Sequence, residues 1–312
     1  MSQLQVSASP HIHNGSSTPT IMRDVVIALV PAIIASGIIF GPRALLLIAV
    51  TVAACVISEY LSRKILKRSN SIRDLTAVIT GILLALNLPV SLPLWMAALG
   101  GVIAIVIVKQ FFGGIGQNFV NPAIAARIIL LMSFASQMSD WVVPFEYSQR
   151  IDVTTTATYL SGAESSLPSL IDMFLGVRSG SLGETCGLAL LLGGAYLIFR
   201  KVISPLIPTV FIGTVALLSF LLGGNPLYHV LAGGLLLGAI FMATDYTTSP
   251  VTRNGKIIFA VGCGVITVAI RFFAALPEGV SYAILLMNIL VPLIENLTIP
   301  KTFGREVKQR EN

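Results

Sequence analysis

Apolar residues run along this chain in long stretches, separated by short polar, glycine-rich or proline-containing breaks. A helix that crosses a bilayer needs about 20 mainly apolar residues, fewer where neighbours shield its ends. Ten stretches qualify: 22–40, 44–61, 75–88, 94–111, 122–136, 185–200, 206–222, 227–245, 257–273 and 280–297. The pattern predicts an all-α integral membrane protein of about ten transmembrane helices. Asn121-Pro122, Ser204-Pro205 and Asn225-Pro226 each set a capping side chain before a proline that suits a first helical turn. The third and fifth stretches are short. One stops at Asn87-Leu88-Pro89, and the other follows the glycine-rich GGIGQNFVNP at 113–122. Irregular backbone at membrane depth is tolerated only where protein or a watery cavity covers it, so short or broken segments point to a binding site.

Composition reinforces the bilayer as solvent. The chain is 55% hydrophobic and 11% charged, with a mean hydropathy of +0.87, whereas a soluble domain carries about 25% charged residues. The net charge of +6 does not indicate nucleic acid, because the basic residues cluster between apolar runs as the positive-inside rule requires. With the N-terminus inside, the inner side holds Arg23, Arg63, Lys64, Lys67, Arg68, Arg73, Lys109, Arg200, Lys201, Arg253, Lys256, Lys301, Arg305, Lys308 and Arg310. The outer side holds Arg43, Arg150, Arg178 and Arg271, with Arg127 left unassigned. That bias places both termini in the cytoplasm and residues 137–184 in one long external loop. The loop carries Asp140, Glu146, Asp152, Glu164, Asp172 and Glu184, and acidic residues weigh little in topology. Cys55, Cys186 and Cys263 form no CxxC pair, so neither a disulfide framework nor a metal or iron–sulfur site is indicated. The polar first twenty residues lack an apolar signal core and read as a cytoplasmic lead-in.

The loop divides the helices into five and five. An odd number in each half inverts the second half relative to the first, the arithmetic of a 5+5 inverted repeat. The expected organisation is a cytoplasmic N-terminal segment (1–21), a first membrane half (22–136), the external loop (137–184), a second membrane half (185–297) and a cytoplasmic tail (298–312). Stretches three and eight would be counterparts.

Candidate chemistry lies outside and at the edges of the helices. The external loop contains Asp152-Val-Thr-Thr-Thr-Ala-Thr158, a hydroxyl-rich run that read alone is either plain loop or an attachment site. Threonine becomes a nucleophile or tether only with help from a base or metal. The glycines of GGIGQNFVNPA allow close backbone approach. Its amides either face an anion at a helix start or form a tight interhelical connection. MATDYTTSPV sets Asp245 at the end of stretch eight beside Thr247 and Thr248, as a solvated helix terminus, a polar pocket or part of an ion path. Glu295 and Asn288, seven apart, share a face of the last stretch; Glu295 is either functional or snorkelling. His11, His13 and His229 lack ligand spacing, and Phe111, Phe112, Phe272 and Phe273 read as interfacial anchors.

SPHI (9–12), TAVITGILLALNLP (76–89), the loop run at 152–158, GGIGQNFVNPA (113–123) and MATDYTTSPVTRNGK (242–256) together carry a resemblance over nearly the whole chain. The sequence resembles the family of the D subunit of the Rnf ferredoxin–NAD oxidoreductase and the B subunit of the sodium-pumping NADH–quinone reductase. The resemblance implies that a flavin transferase attaches FMN through its phosphate to the last threonine of D-x-x-[ST]-[GS]-A-T. Here the matching positions are Asp152, Thr155, Thr156, Ala157 and Thr158, so Thr158 would carry the FMN. Thr156 stands where glycine or serine is usual. The resemblance further implies a non-covalent riboflavin, for which Asp245, Thr247 and Thr248 are candidates. It also implies sister subunits A, B, C, E and G and a place in the prokaryotic plasma membrane. On that reading the chain passes electrons between ferredoxin-side and NAD-side partners, coupled to Na+ or H+ transport. The rival expectations are a cofactor-free secondary transporter or channel, and a structural membrane anchor.

Overall fold

The computed structural model describes residues 17–68, 71–145, 169–274 and 279–299. Among them every regular element is helical. α1 (Thr18–Phe40) and α2 (Pro42–Ile65) form a long hairpin hinged at Gly41. α3 (Thr76–Leu86) is short, and α4 (Leu94–Val102) continues into a π-helical stretch, Ile103–Gln110. α5 (Pro122–Ser133) and the turn α6 (Ala135–Met138) complete the first part. After α7 (Leu170–Leu175) come α8 (Gly187–Phe199) and α9 (Leu206–Leu221). The next segment is broken into α10 (Pro226–Leu231), α11 (Leu235–Leu237) and a π-helical Gly238–Met242. α12 (Arg253–Phe273) and α13 (Gly279–Thr298) close the chain.

Four helices, α1, α2, α12 and α13, are long and apolar enough to cross a membrane by length and composition, and five shorter apolar helices accompany them. The chain is a multi-pass membrane protein. Its outer faces carry Ile34, Ile38, Leu217, Phe220 and Leu293 exposed, side chains that suit lipid and would be costly in water. Inside, small residues let backbones touch, the usual device where lipid removes the hydrophobic drive between helices. A Cβ on Gly81 would lie 2.7 Å from Val52 Cα, which fixes α3 against α2. One on Gly193 would lie 2.2 Å from Ala28 O, which fixes α8 against α1.

Each predicted stretch is helical over most of its length, but stretch eight is not one helix. The run 227–245 breaks at Ala232, and Gly233 and Gly234 adopt φ of 67° and 65°, a left-handed backbone that glycine adopts without steric cost. The carbonyls freed there are met by the Arg271 guanidinium, which donates to His229 O at 2.6 Å and Ala232 O at 2.9 Å. α3 ends in a similar break: Leu182 N donates to Leu88 O at 3.1 Å and Gly183 N to Leu86 O at 2.7 Å. The chain just before α8 thus folds into the molecule and supplies the donors that membrane depth requires.

Two of the three predicted caps, Asn121 and Asn225, form as the sequence expects; α9 instead begins at Leu206 with Pro205 in the N-cap position and no side-chain cap, so Ser204 lies one residue too early. Asn121 Oδ1 accepts from Ala123 N at 3.0 Å and Ile124 N at 3.4 Å, Asn225 Oδ1 from Leu227 N at 3.1 Å, and Ser204 Oγ from Leu206 N at 3.4 Å.

Candidate functional site

α3, α5 and the broken segment after α10 are too short to fill the space between the long helices, and a cavity remains where their ends converge. It bounds about 830 Å³ of space, the open solvent at its mouth included. The apolar walls include Met22 of α1, Ile79 and Leu83 of α3, Leu197 of α8, Ile203 and Phe241. Polar groups enter at Thr76 and Thr80, at Lys109, at Asn118 and Asn121, and at Thr244, Asp245 and Thr247. Both π-helical stretches contribute, through Lys109 and Phe241; such bulges occur often at functional sites.

On one side the turn 244–249 arranges its own polar groups. Asp245 Oδ2 accepts from Thr247 Oγ1 at 3.0 Å and Thr248 Oγ1 at 3.2 Å, and Oδ1 from Thr247 N at 3.4 Å. Asn118 Nδ2 bridges to Thr247 Oγ1 at 3.2 Å and so ties the glycine-rich segment to this turn. Tyr246 OH donates to Val202 O. Lys109, also in the lining, belongs to a buried ion pair: its Nζ lies 2.8 Å from Glu59 Oε2 and donates to Thr76 Oγ1 at 2.8 Å. Glu59 is fully buried, and its Oε1 accepts from Ser71 Oγ at 2.6 Å and Gln110 Nε2 at 3.3 Å, with Arg63 Nε at 3.7 Å.

A buried polar seam leads away from the cavity floor. Asn121 Nδ2 donates to Met242 O at 3.3 Å. Asn288, with its amide turned to match its neighbours, donates to Thr248 O at 3.0 Å and accepts from Asn121 N at 3.1 Å. Further along, Arg127 Nη1 donates to Asn87 Oδ1 at 2.8 Å and Ser281 Oγ at 3.0 Å. Residues from early and late in the chain therefore meet at one interface.

Of the residues singled out from sequence, Asp245 and Thr247 line the cavity and Thr248 supports Asp245 from behind. The glycine-rich segment forms part of the same wall. Asp152, Thr155, Thr156, Ala157 and Thr158 lie outside the described residues, as do His11 and His13. Asn288 joins the seam, whereas Glu295 does not: its Oε1 accepts from Val251 N at 3.0 Å and so braces the start of α12. Phe111 and Phe273 are exposed at helix ends, but Phe272 stacks on His229 at 5.0 Å. Sequence reasoning misses the Glu59–Lys109 pair and counts Lys109 only as an inner-side charge. An acid and a base inside apolar stretches 44–61 and 94–111 are nevertheless signals in themselves.

The model of the NQR2, RnfD, RnfE family matches residues 5–304. The chain belongs to that family. Among relatives, an Acetobacterium woodii protein, named as the D subunit of a Na(+)-translocating ferredoxin:NAD(+) oxidoreductase complex, is 48% identical over 307 residues, covering 96% of this chain and 95% of the relative. A Clostridium ljungdahlii protein, named as the D subunit of a proton-translocating ferredoxin:NAD(+) oxidoreductase complex, is 42% identical and covers 96% of each chain. A Stutzerimonas stutzeri protein, named as the D subunit of an ion-translocating oxidoreductase complex, is 38% identical over 94% of each. The family's members thus match the chain nearly end to end, and the described helices, cavity and seam all fall inside the matched region.

Proposed function

We propose that this chain is the D-type membrane subunit of an Rnf ion-translocating oxidoreductase complex, a flavin carrier that passes electrons between ferredoxin-side and NAD-side partners while Na+ or H+ is moved. The observation that carries this reading is the nearly end-to-end likeness to three proteins named as D subunits of such complexes. The chain would act with partners A, B, C, E and G in a prokaryotic plasma membrane, as part of an enzyme that is at once an oxidoreductase and a translocase.

On this reading the chain would hold two flavins. FMN is tethered by a phosphoester at Thr158, within the motif Asp152, Thr155, Thr156, Ala157, after action of a flavin transferase. Riboflavin occupies the cavity. Its residues fit such a group, since a flat tricyclic ring needs apolar faces and polar edges. Leu83, Phe241 and Ile203 offer the faces, and Asn118, Thr244 and Asp245 offer edge partners. A flavin accepts one or two electrons, and the surrounding protein tunes its potential through charge and hydrogen bonds. This chain's own part is to bind and orient the ring: the Asn118–Thr247–Asp245 chain fixes one wall, and α3 with the end of α8 shuts out lipid.

We further propose ten spans in a 5+5 inverted repeat, with both termini cytoplasmic, loop 137–184 external, and segments divided as 1–21, 22–136, 137–184, 185–297 and 298–312. Supporting it, Asp24 pairs with Arg200 at 3.1 Å and Arg68 donates to Gln110 O at 3.1 Å. These contacts join chain segments all assigned inside. Arg43 donates to Val90 O at 2.9 Å and Ser91 to Asp140 O at 2.7 Å, joining segments all assigned outside.

The test is in-gel flavin fluorescence. The protein expressed with the flavin transferase should give a bright band after denaturing electrophoresis, and Thr158→Ala should abolish it. A dark wild-type band would favour a cofactor-free transporter or an anchor.

A further inference from the structure

The cavity is lined by one acidic and one basic side chain, Asp245 and Lys109, and the protein neutralises them differently. Asp245 is met by two hydroxyls and an amide of its own turn, and among the described residues no cation pairs with it. Lys109 is held by a carboxylate from another helix, Glu59 of α2. That carboxylate is fully buried and has partners of its own in Ser71, Gln110 and Arg63. An ammonium has three donors. Two are spent on Glu59 Oε2 and Thr76 Oγ1, and the third has no partner among the described residues, in a side chain that lines the cavity.

A buried ion pair is a poor stabiliser, because desolvation offsets most of its attraction and an apolar pair of similar volume often serves as well. Its presence here calls for a purpose other than holding α2 to α4. The local backbone adds to this: Lys109 lies near the end of a π-helical stretch eight residues long, where the wider turn departs from the face an α-helix would give it. The lysine therefore sits where a charge is costly to hold, and it faces a cavity with apolar walls and polar groups at its edges.

We infer that Lys109 sets the reduction potential of the ring bound in this cavity, with Glu59 as the counter-ion that moderates it; this rests on the reading of the cavity as a riboflavin site. Uptake of two electrons from the complex's other redox centres and one proton from water leaves the ring with one additional negative charge. A fixed ammonium beside it lowers the free energy of that charge, strongly so where solvent is scarce. Lys109 keeps its proton throughout and no bond to it forms or breaks. Glu59 subtracts from the lysine's field without cancelling it, because the ammonium is nearer the cavity.

The experiment uses the purified whole complex. Riboflavin is separated chromatographically from FMN in an acid extract, and the riboflavin transition is followed by spectroelectrochemical titration. Lys109→Met should weaken the reduction equilibrium at least tenfold, about 30 mV for a two-electron couple. Lys109→Arg, which keeps the charge, should stay within threefold of wild type. Glu59→Gln should move the potential the opposite way. In-gel fluorescence of the covalent flavin serves as the assembly control. If Lys109→Met does not assemble, Glu59→Gln decides: an upward shift supports the inference and an unmoved potential overturns it. Riboflavin retained at wild-type level in Lys109→Met with an unmoved potential overturns the lysine's role alone. No riboflavin in the wild-type extract overturns the cavity reading and this inference with it.

Discussion

Gly193 shows how little room single residues have in this protein. A methyl there would meet Ala28 O at 2.2 Å and Phe241 Cζ at 2.9 Å, whereas one at Gly213 would meet nothing within 4 Å. Gly193→Ala should therefore cost about 1–3 kcal/mol through overpacking, read as a lower melting temperature in detergent. Gly213→Ala should be neutral or stabilising by up to ~1 kcal/mol, because alanine loses less backbone freedom in a helix. Nothing in the sequence separates these two glycines. Both lie in apolar helical runs, and only the neighbouring helix tells them apart. The same holds for Lys109. Its sequence position identifies an inner-side charge, but its bond to Glu59, fifty residues earlier, is a product of packing. Asp245 is easier to see, because its partners Thr247 and Thr248 are local and the Asp-x-Thr-Thr spacing already writes the turn.

Helix starts are legible where the cap is local. Asn121-Pro122 and Asn225-Pro226 form the caps their sequences announce. The two differ in surroundings: Asn121 is 3% exposed and also ties to Met242 O, while Asn225 faces outward. Asn121→Ala should cost about 2 kcal/mol, the upper end of cap losses, because it also strips a buried carbonyl of its donor. Asn225→Ala should cost about 0.5–1 kcal/mol, and thermal unfolding of the two variants side by side checks the order. The break after α10 is harder to read. Gly233-Gly234 stands out as a pair, but glycines are common in membrane helices as packing surfaces. What marks these two as a break is the Arg271 guanidinium on the carbonyls of residues 229 and 232. That donor lies about forty residues downstream, beyond any local pattern.

For the molecule as a whole, the alternation of contacts between the two ends of the bundle predicts a definite sidedness. In inside-out and right-side-out vesicles, a cysteine at Ser165→Cys should react with an impermeant thiol reagent only from outside, and one at Lys67→Cys only from the cytoplasmic face. Labelling of both from one side would overturn the proposed orientation. The expected sidedness rests chiefly on sequence. Hydropathy fixes which stretches avoid water, and the placement of lysine and arginine biases which ends stay in the cytoplasm, since both are properties of short segments that each residue carries with it. The sequence by itself also determined the family, through long runs in matching order along the chain. Only the tertiary structure decided that short helices would leave a cavity, that Asp245 and Lys109 would line it together, and that Asn87, Arg127 and Ser281 would meet across the seam. Such meetings depend on which helix faces approach and how closely. In a bilayer that is set by small residues and by the need of every buried polar group for a partner, conditions satisfied between segments far apart in the chain.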